Sequence, residues 1–234
     1  MKKNRIMRVA AVLAIAVLLT TCAISSTFAK YTTSKSGSDT ARVAKFGVEI
    51  TANGSMFATS YKNDAAIGTT AAAAGSSVSS DSNKLVAPGT KGALANATIT
   101  GTPEVAVNVT YVAELTLTGW AVGESNELYC PLIIKVGDDT YGITGMKDST
   151  GAEAAHKYAT IAELEEAVET AIGAYSEDYA AGTDLSTIGA AGYVSVSWEW
   201  AFDKNDDAKD TLLGNATTAA TIKLRITTTV TQID

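Results

Sequence analysis

The chain has 234 residues, 18 basic and 25 acidic, with a formal charge of −7. It holds two cysteines and one histidine, is rich in Ala, Thr, Gly and Ser, and is only 7% aromatic. The charge balance excludes a nucleic-acid-binding surface, which needs clustered Lys and Arg. The cysteine count excludes a disulfide framework.

Met1 to Arg8 is a basic opening, with Lys2, Lys3, Arg5 and Arg8. Val9 to Leu19 is an unbroken apolar run that fades through Thr20, Thr21, Cys22, Ala23 and Ile24. This is the pattern of a secretory signal, and the run is short beside the roughly 20 residues of a spanning helix. No second apolar run of that length follows. Thr27 and Ala29 supply the small residues at −3 and −1 of a peptidase site, with Lys30 as the first residue after the cut. Ala23 and Ser26 are alternative −1 residues. Leu19-Thr20-Thr21-Cys22 loosely matches a lipoprotein box, with Thr21 a poor residue before a lipidated cysteine.

Cutting after residue 29 leaves fourteen basic residues against 25 acidic ones, a net of −11. About 205 residues remain, enough for one sizeable domain. Cys130, between Tyr129 and Pro131, then has no cysteine partner and reads as a small buried hydrophobe.

Lys30 to Val43 is a polar, Ser/Thr-rich stretch without a hydrophobic stripe, expected to be a flexible arm. From residue 44 onward a folded domain is expected to run to residue 234. Phe46, Val48 and Ile50 alternate with polar neighbours, which predicts a first strand with one buried face. Asn53 to Asn83 is weakly patterned. Met56, Phe57 and Tyr61 suggest a short strand, and Ala71 to Ser80 a low-complexity mobile loop. Lys84 to Thr90 reads as an extended piece ended by a Pro88-Gly89 turn. Leu94 to Thr100 reads as a further strand.

Glu104 to Thr118 carries the clearest pattern. Val105, Val107, Val109, Tyr111, Ala113, Leu115 and Leu117 share one face at period two. Leu132–Val136 and Thr140–Thr144 predict a hairpin over Gly137, Asp138 and Asp139. Thr160 and Glu163 form a capping box ahead of a stripe of Ile161, Leu164, Val168 and Ile172, which predicts a helix over about 160–173. Its acidic residues Glu163, Glu165, Glu166 and Glu169 read as solvated surface. Tyr175 to Ala191 reads as loop. Two strands close the chain. One has Val194, Val196, Trp198, Trp200 and Phe202 on its apolar face; the other has Ile222, Leu224, Ile226 and Val230. The fold expected is therefore all-β: an antiparallel β-sandwich of jelly-roll type with one inserted short helix.

Motifs for catalysis are missing. His156 has no second histidine, no His-Glu-x-x-His and no cysteine cluster around it, so a usual zinc site is not expected. No nucleophile elbow or phosphate-cradling loop is present. No enzyme is expected. The Asp203 to Asp210 loop spaces oxygen donors at Asp203, Asn205 and Asp207, as hard-cation loops do. It lacks the mid-loop Gly and terminal Glu of an EF-hand, and its plainer reading is an acidic turn. No cofactor is expected apart from calcium there. Four Asn-x-Ser/Thr triplets begin at Asn53, Asn96, Asn108 and Asn215, as chance allows in so Thr-rich a chain.

The signal ending in Thr27-Phe28-Ala29, the polar arm, and then Ala41-Arg42-Val43-Ala44-Lys45-Phe46-Gly47-Val48 resemble the N-terminus of TasA/camelysin-like proteins. Val86-Ala87-Pro88-Gly89-Thr90 resembles their Pro-Gly turn. These are Gram-positive biofilm matrix proteins exported through a SipW-type signal peptidase. The resemblance implies a secreted jelly-roll subunit that polymerises head to tail into extracellular matrix fibres. It also implies partners: other copies of itself, the SipW-type peptidase and an accessory matrix protein. The freed arm would then act as donor strand, with Lys30 at its start and Tyr31 and Val43 as anchors. Peptidase activity, to which some members have been assigned, lacks its ligand set here. The alternative is a monomeric cell-surface adhesin module, calcium-dependent through the acidic loop.

Overall fold

The computed structural model describes residues 7–16, 42–51, 56–57, 71–72, 84–94, 98–188 and 193–233. They fall into two compact units, Met1–Val43 and Ala44–Asp234. In the first, residues 7–16, from the end of the basic opening into the apolar run, form helix α1. No described helix is long and apolar enough to cross a membrane.

The second unit is mostly β. Its largest sheet has six strands in the order β10-β9-β8-β12-β3-β2. These are β2 (Ala71–Ala72), β3 (Thr90–Ala93), β8 (Leu132–Val136), β9 (Asp139–Ile143), β10 (His156–Tyr158) and β12 (Val196–Trp200). A three-stranded sheet has β5 (Val107–Thr118) between β11 (Ser176–Tyr179) and β13 (Thr221–Gln232). Two small pairs complete the set: β1 (Glu49–Thr51) with β4 (Thr98–Thr100), and β6 (Ala121–Val122) with β7 (Glu127–Leu128). All pairings are antiparallel except β9 with β10, which run parallel. That pair corrects the expectation of a purely antiparallel body. The segment joining β9 to β10 folds back on itself through a Lys147–Glu153 bridge instead of a hairpin.

The period-two rows become the core. Val107, Val109, Tyr111, Ala113, Leu115 and Leu117 of β5 are all buried, as are Leu132, Ile134 and Val136 of β8 and Val196, Trp198 and Trp200 of β12. Together with Leu164, Val168 and Ile172 they form one contiguous cluster. The Trp198 indole donates to the Met56 carbonyl at 2.9 Å, which satisfies its polar atom inside the core. The β8–β9 hairpin turns over Gly137 and Asp138, with Gly137 at φ 62°, a left-handed value that glycine supplies without strain.

Helix α2 (Ile161–Gly173) forms where the sequence predicts it. Thr160 accepts the Glu163 N–H, and the Glu163 carboxylate accepts the Thr160 N–H. It is not the sole inserted helix. Asp206 caps a second, α3 (Asp207–Gly214), and Leu185–Thr187 form a 3-10 turn. Both lie where the sequence lacks an apolar stripe: α3 buries only Leu213.

The remaining differences concern burial and strand ends. Only Glu49–Thr51 of the predicted first strand is β; Phe46 and Ile50 are exposed, and of the alternating row Val48 alone packs, partly buried, against the core. Phe202, expected in the core, is 52% exposed because β12 ends at Trp200. Ala71–Ala72, within the predicted mobile loop, pair with β3, and Ser176–Tyr179, within the other predicted loop, pair with β5.

Candidate functional site

β5 is the centre of the three-stranded sheet, and its two edges are treated differently. On one side β11 pairs only with Val107–Thr110. Beyond that, α2 takes over: the Leu115 N–H donates to Glu169 Oε1 at 2.7 Å and the Leu117 N–H to Glu165 Oε1 at 2.6 Å. Charged acceptors make strong hydrogen bonds to main-chain donors. The two glutamates are therefore not simply solvated surface, as the sequence reading has it. They seal a strand edge.

On the other side β13 pairs with β5 over twelve consecutive residues, Thr221 opposite Thr118 through Gln232 opposite Val107. Leu115 and Leu117 aim their N–H groups at α2, so the ladder to β13 is carried by the even-numbered residues of β5. Their partners are the odd-numbered residues Thr221 to Thr231. Ile222, Leu224, Ile226, Thr228, Val230 and Gln232 consequently point their main-chain groups outward. Among the described residues β13 has no second strand neighbour.

The same residues carry the apolar face of β13. Ile222, Leu224, Ile226 and Val230 pack on the core yet remain half-buried, whereas the matching row of β5 is fully covered. At the head of the edge lies a recess of about 680 Å³, lined by Leu85, Trp120, Trp200, Leu213 and Ile222 among others. The Trp120 and Trp200 rings meet edge to face at 5.6 Å, and the Trp120 indole donates to the Thr221 carbonyl at 2.9 Å. The recess is thus fixed to the first residue of β13.

The predicted cleavage residues Thr27, Ala29 and Lys30, and the arm residue Tyr31, lie outside the described residues. Val43 is 90% exposed. In the acidic loop, Asp203 adopts φ 54°. Asn205 Oδ1 accepts the Lys147 N–H at 2.8 Å while its amide donates to the Lys147 carbonyl at 3.1 Å. Asp207 falls in the first turn of α3. The Asp206 carboxylate is engaged by the N–H groups of Ala208 and Lys209. Among the described residues no three His, Cys, Asp or Glu side chains group as a metal site.

Asp210, from the same loop, has a different role. Its Oδ1 accepts from Tyr129 Oη at 2.6 Å and from the Trp200 indole at 3.3 Å. Desolvation, opposed by these bonds and reinforced by Asp207 and Asp206, holds its carboxyl above the usual carboxylate range. Cys130 is fully buried and burial pushes its thiol up to about 12, so it keeps its proton at neutral pH. His156 stacks on Tyr141 at 4.9 Å, with its Nε2 3.7 Å from Asp139.

Sequence reasoning missed the sealing pair Glu165 and Glu169. The available signal was their i,i+4 spacing directly beside the buried Leu164 and Val168. No protein-family model matches the chain, and neither the curated proteins nor the solved structures give a match.

Proposed function

We propose that this chain is an exported structural subunit that polymerises head to tail into extracellular matrix fibres, with its N-terminal arm adding a strand to the next copy. In this reading a SipW-type signal peptidase cuts after Ala29, Ala44–Asp234 forms a jelly-roll-type sandwich, and residues 30–43 link subunits. An extended segment gains main-chain hydrogen bonds along a free sheet edge, and alternate side chains set its register. Head-to-tail addition does not close on itself, so it makes filaments.

The observation that carries the reading is the division at Val43/Ala44. A body with its own core starts at Ala44, and the residue before it is an apolar side chain 90% exposed to solvent. A strand-length, polar stretch of sequence ahead of a unit with its own core is the arrangement that strand donation requires. Cys130, buried and protonated, is not available as a nucleophile.

The test compares the chain starting at Lys30 with the chain starting at Ala44. Negative-stain electron microscopy should find filaments only for the first. Monomers of the first under all conditions, or filaments of the second, would overturn the proposal.

A further inference from the structure

β5 has two flanks, and among the described residues they end differently. α2 and β11 cover the first, through the Glu165 and Glu169 carboxylates and through strand pairing. The second, the outer edge of β13, runs for twelve residues. Its sequence has no proline and its ladder no bulge, and its two charges, Lys223 and Arg225, sit near its start on the face opposite the apolar row. The other free edges among the described residues, on β1, β2, β4, β6, β7, β10 and β11, are two to four residues long. Half-buried Ile222, Leu224, Ile226 and Val230 line the long one.

We propose that the outer edge of β13 is the acceptor, and that its occupant is the 30–43 segment of a second copy of this chain. This rests on the strand-donation reading above and names the site it left open. Fourteen residues match the twelve of β13 in length. Tyr31 and Val43 stand an even number of residues apart, so they fall on one face of an extended segment. Lys35 and Asp39 share that face, so its apolar contacts fall at the two ends. At the head of β13, the recess beside Trp120 and Trp200 takes one of these anchors. The shape of the binding site is thus a ladder of outward groups on Ile222 to Gln232 with one apolar socket at its beginning.

The experiment uses the 44–234 unit and a synthetic peptide of residues 30–43. Amide hydrogen exchange is followed by NMR. The outward amides of Ile222, Leu224, Ile226, Thr228 and Val230 should slow at least about tenfold on saturation, while those of β2, β10 and β11 stay unchanged. Peptides N-methylated on one alternate set of residues should lose affinity by about tenfold or more, and those methylated on the other set should keep it. Thr228→Pro, which removes one outward N–H, should weaken the peptide similarly with the fold intact by circular dichroism.

Protection at another edge, or none at millimolar peptide, overturns the assignment. So does protection that appears with protein concentration alone, which would mean β13 pairing with β13. If filaments depend on residues 30–43 while the β13 amides stay unprotected, this site falls and the strand-donation reading stands. If the amides are protected yet no filaments form, the site stands and polymerisation falls.

Discussion

The carboxylate of Glu165 accepts the main-chain N–H of Leu117 at 2.6 Å. One helical turn later Glu169 accepts that of Leu115. The match is geometric: four residues of helix advance about 6.0 Å and two residues of strand about 6.8 Å. A pair of side chains at i,i+4 can therefore track alternate amides of an antiparallel strand, and α2 does the work of a missing strand along half of β5.

Replacing either glutamate strands a half-buried donor. Glu165→Ala and Glu169→Ala should each cost about 1–3 kcal/mol in urea unfolding. Glu165→Gln, which keeps an acceptor, should cost less. Glu166→Ala, on the exposed face, should stay within about 0.5 kcal/mol. Equal losses at 165 and 166 would mean the carboxylate bonds carry no stability.

Asp210 predicts a pH dependence. Its folded carboxyl lies above the unfolded range, chiefly through desolvation. The sign follows: stability from this group is complete below the unfolded pKa of about 3.9 and is lost as pH rises through the folded value. Asp210→Asn retains an oxygen for Tyr129 and Trp200 while removing the charge. It should melt above the parent at pH 7, and the gain should vanish near pH 3. A lower melting temperature at pH 7 would contradict this reading.

The acidic loop gives a third test. Asn205 ties the loop to the main chain at Lys147 with both ends of its amide. Asn205→Ala should destabilise by about 1–2 kcal/mol, equally in calcium and in chelator. A melting shift of several degrees with calcium in the parent, absent in the variant, would show that these oxygens take a cation.

Trp198 gives a fourth. Trp198→Phe removes the donor to Met56 and part of the contact with Phe57, whose ring lies 5.4 Å away. A loss of about 2–4 kcal/mol is expected in denaturant unfolding.

The elements legible in the sequence are those whose pattern the core enforces. β5 alternates strictly because its inward row is fully buried. α2 announces itself by Thr160, Glu163 and an apolar stripe. In β13 the alternation was readable but the depth of burial was not, because burial depends on whether a neighbouring strand lies alongside. Phe46 and Ile50 misled for the same reason: alternation reports two faces and does not report what lies against them. α3 was hidden because Asp206 caps a helix with a single buried residue. Glu165 and Glu169 were hidden because a charge run is read as facing water, and only the placement of β5 reveals two amides within reach.

The unbroken register of β13 also has a mechanical meaning. Twelve matched positions hold the last strand to β5 without a bulge. A load applied along the strand axis is shared across all of those hydrogen bonds at once, whereas a load across it would break them one at a time. A chain whose pulling points lie along β13 should therefore resist stretching far better in shear than in peeling.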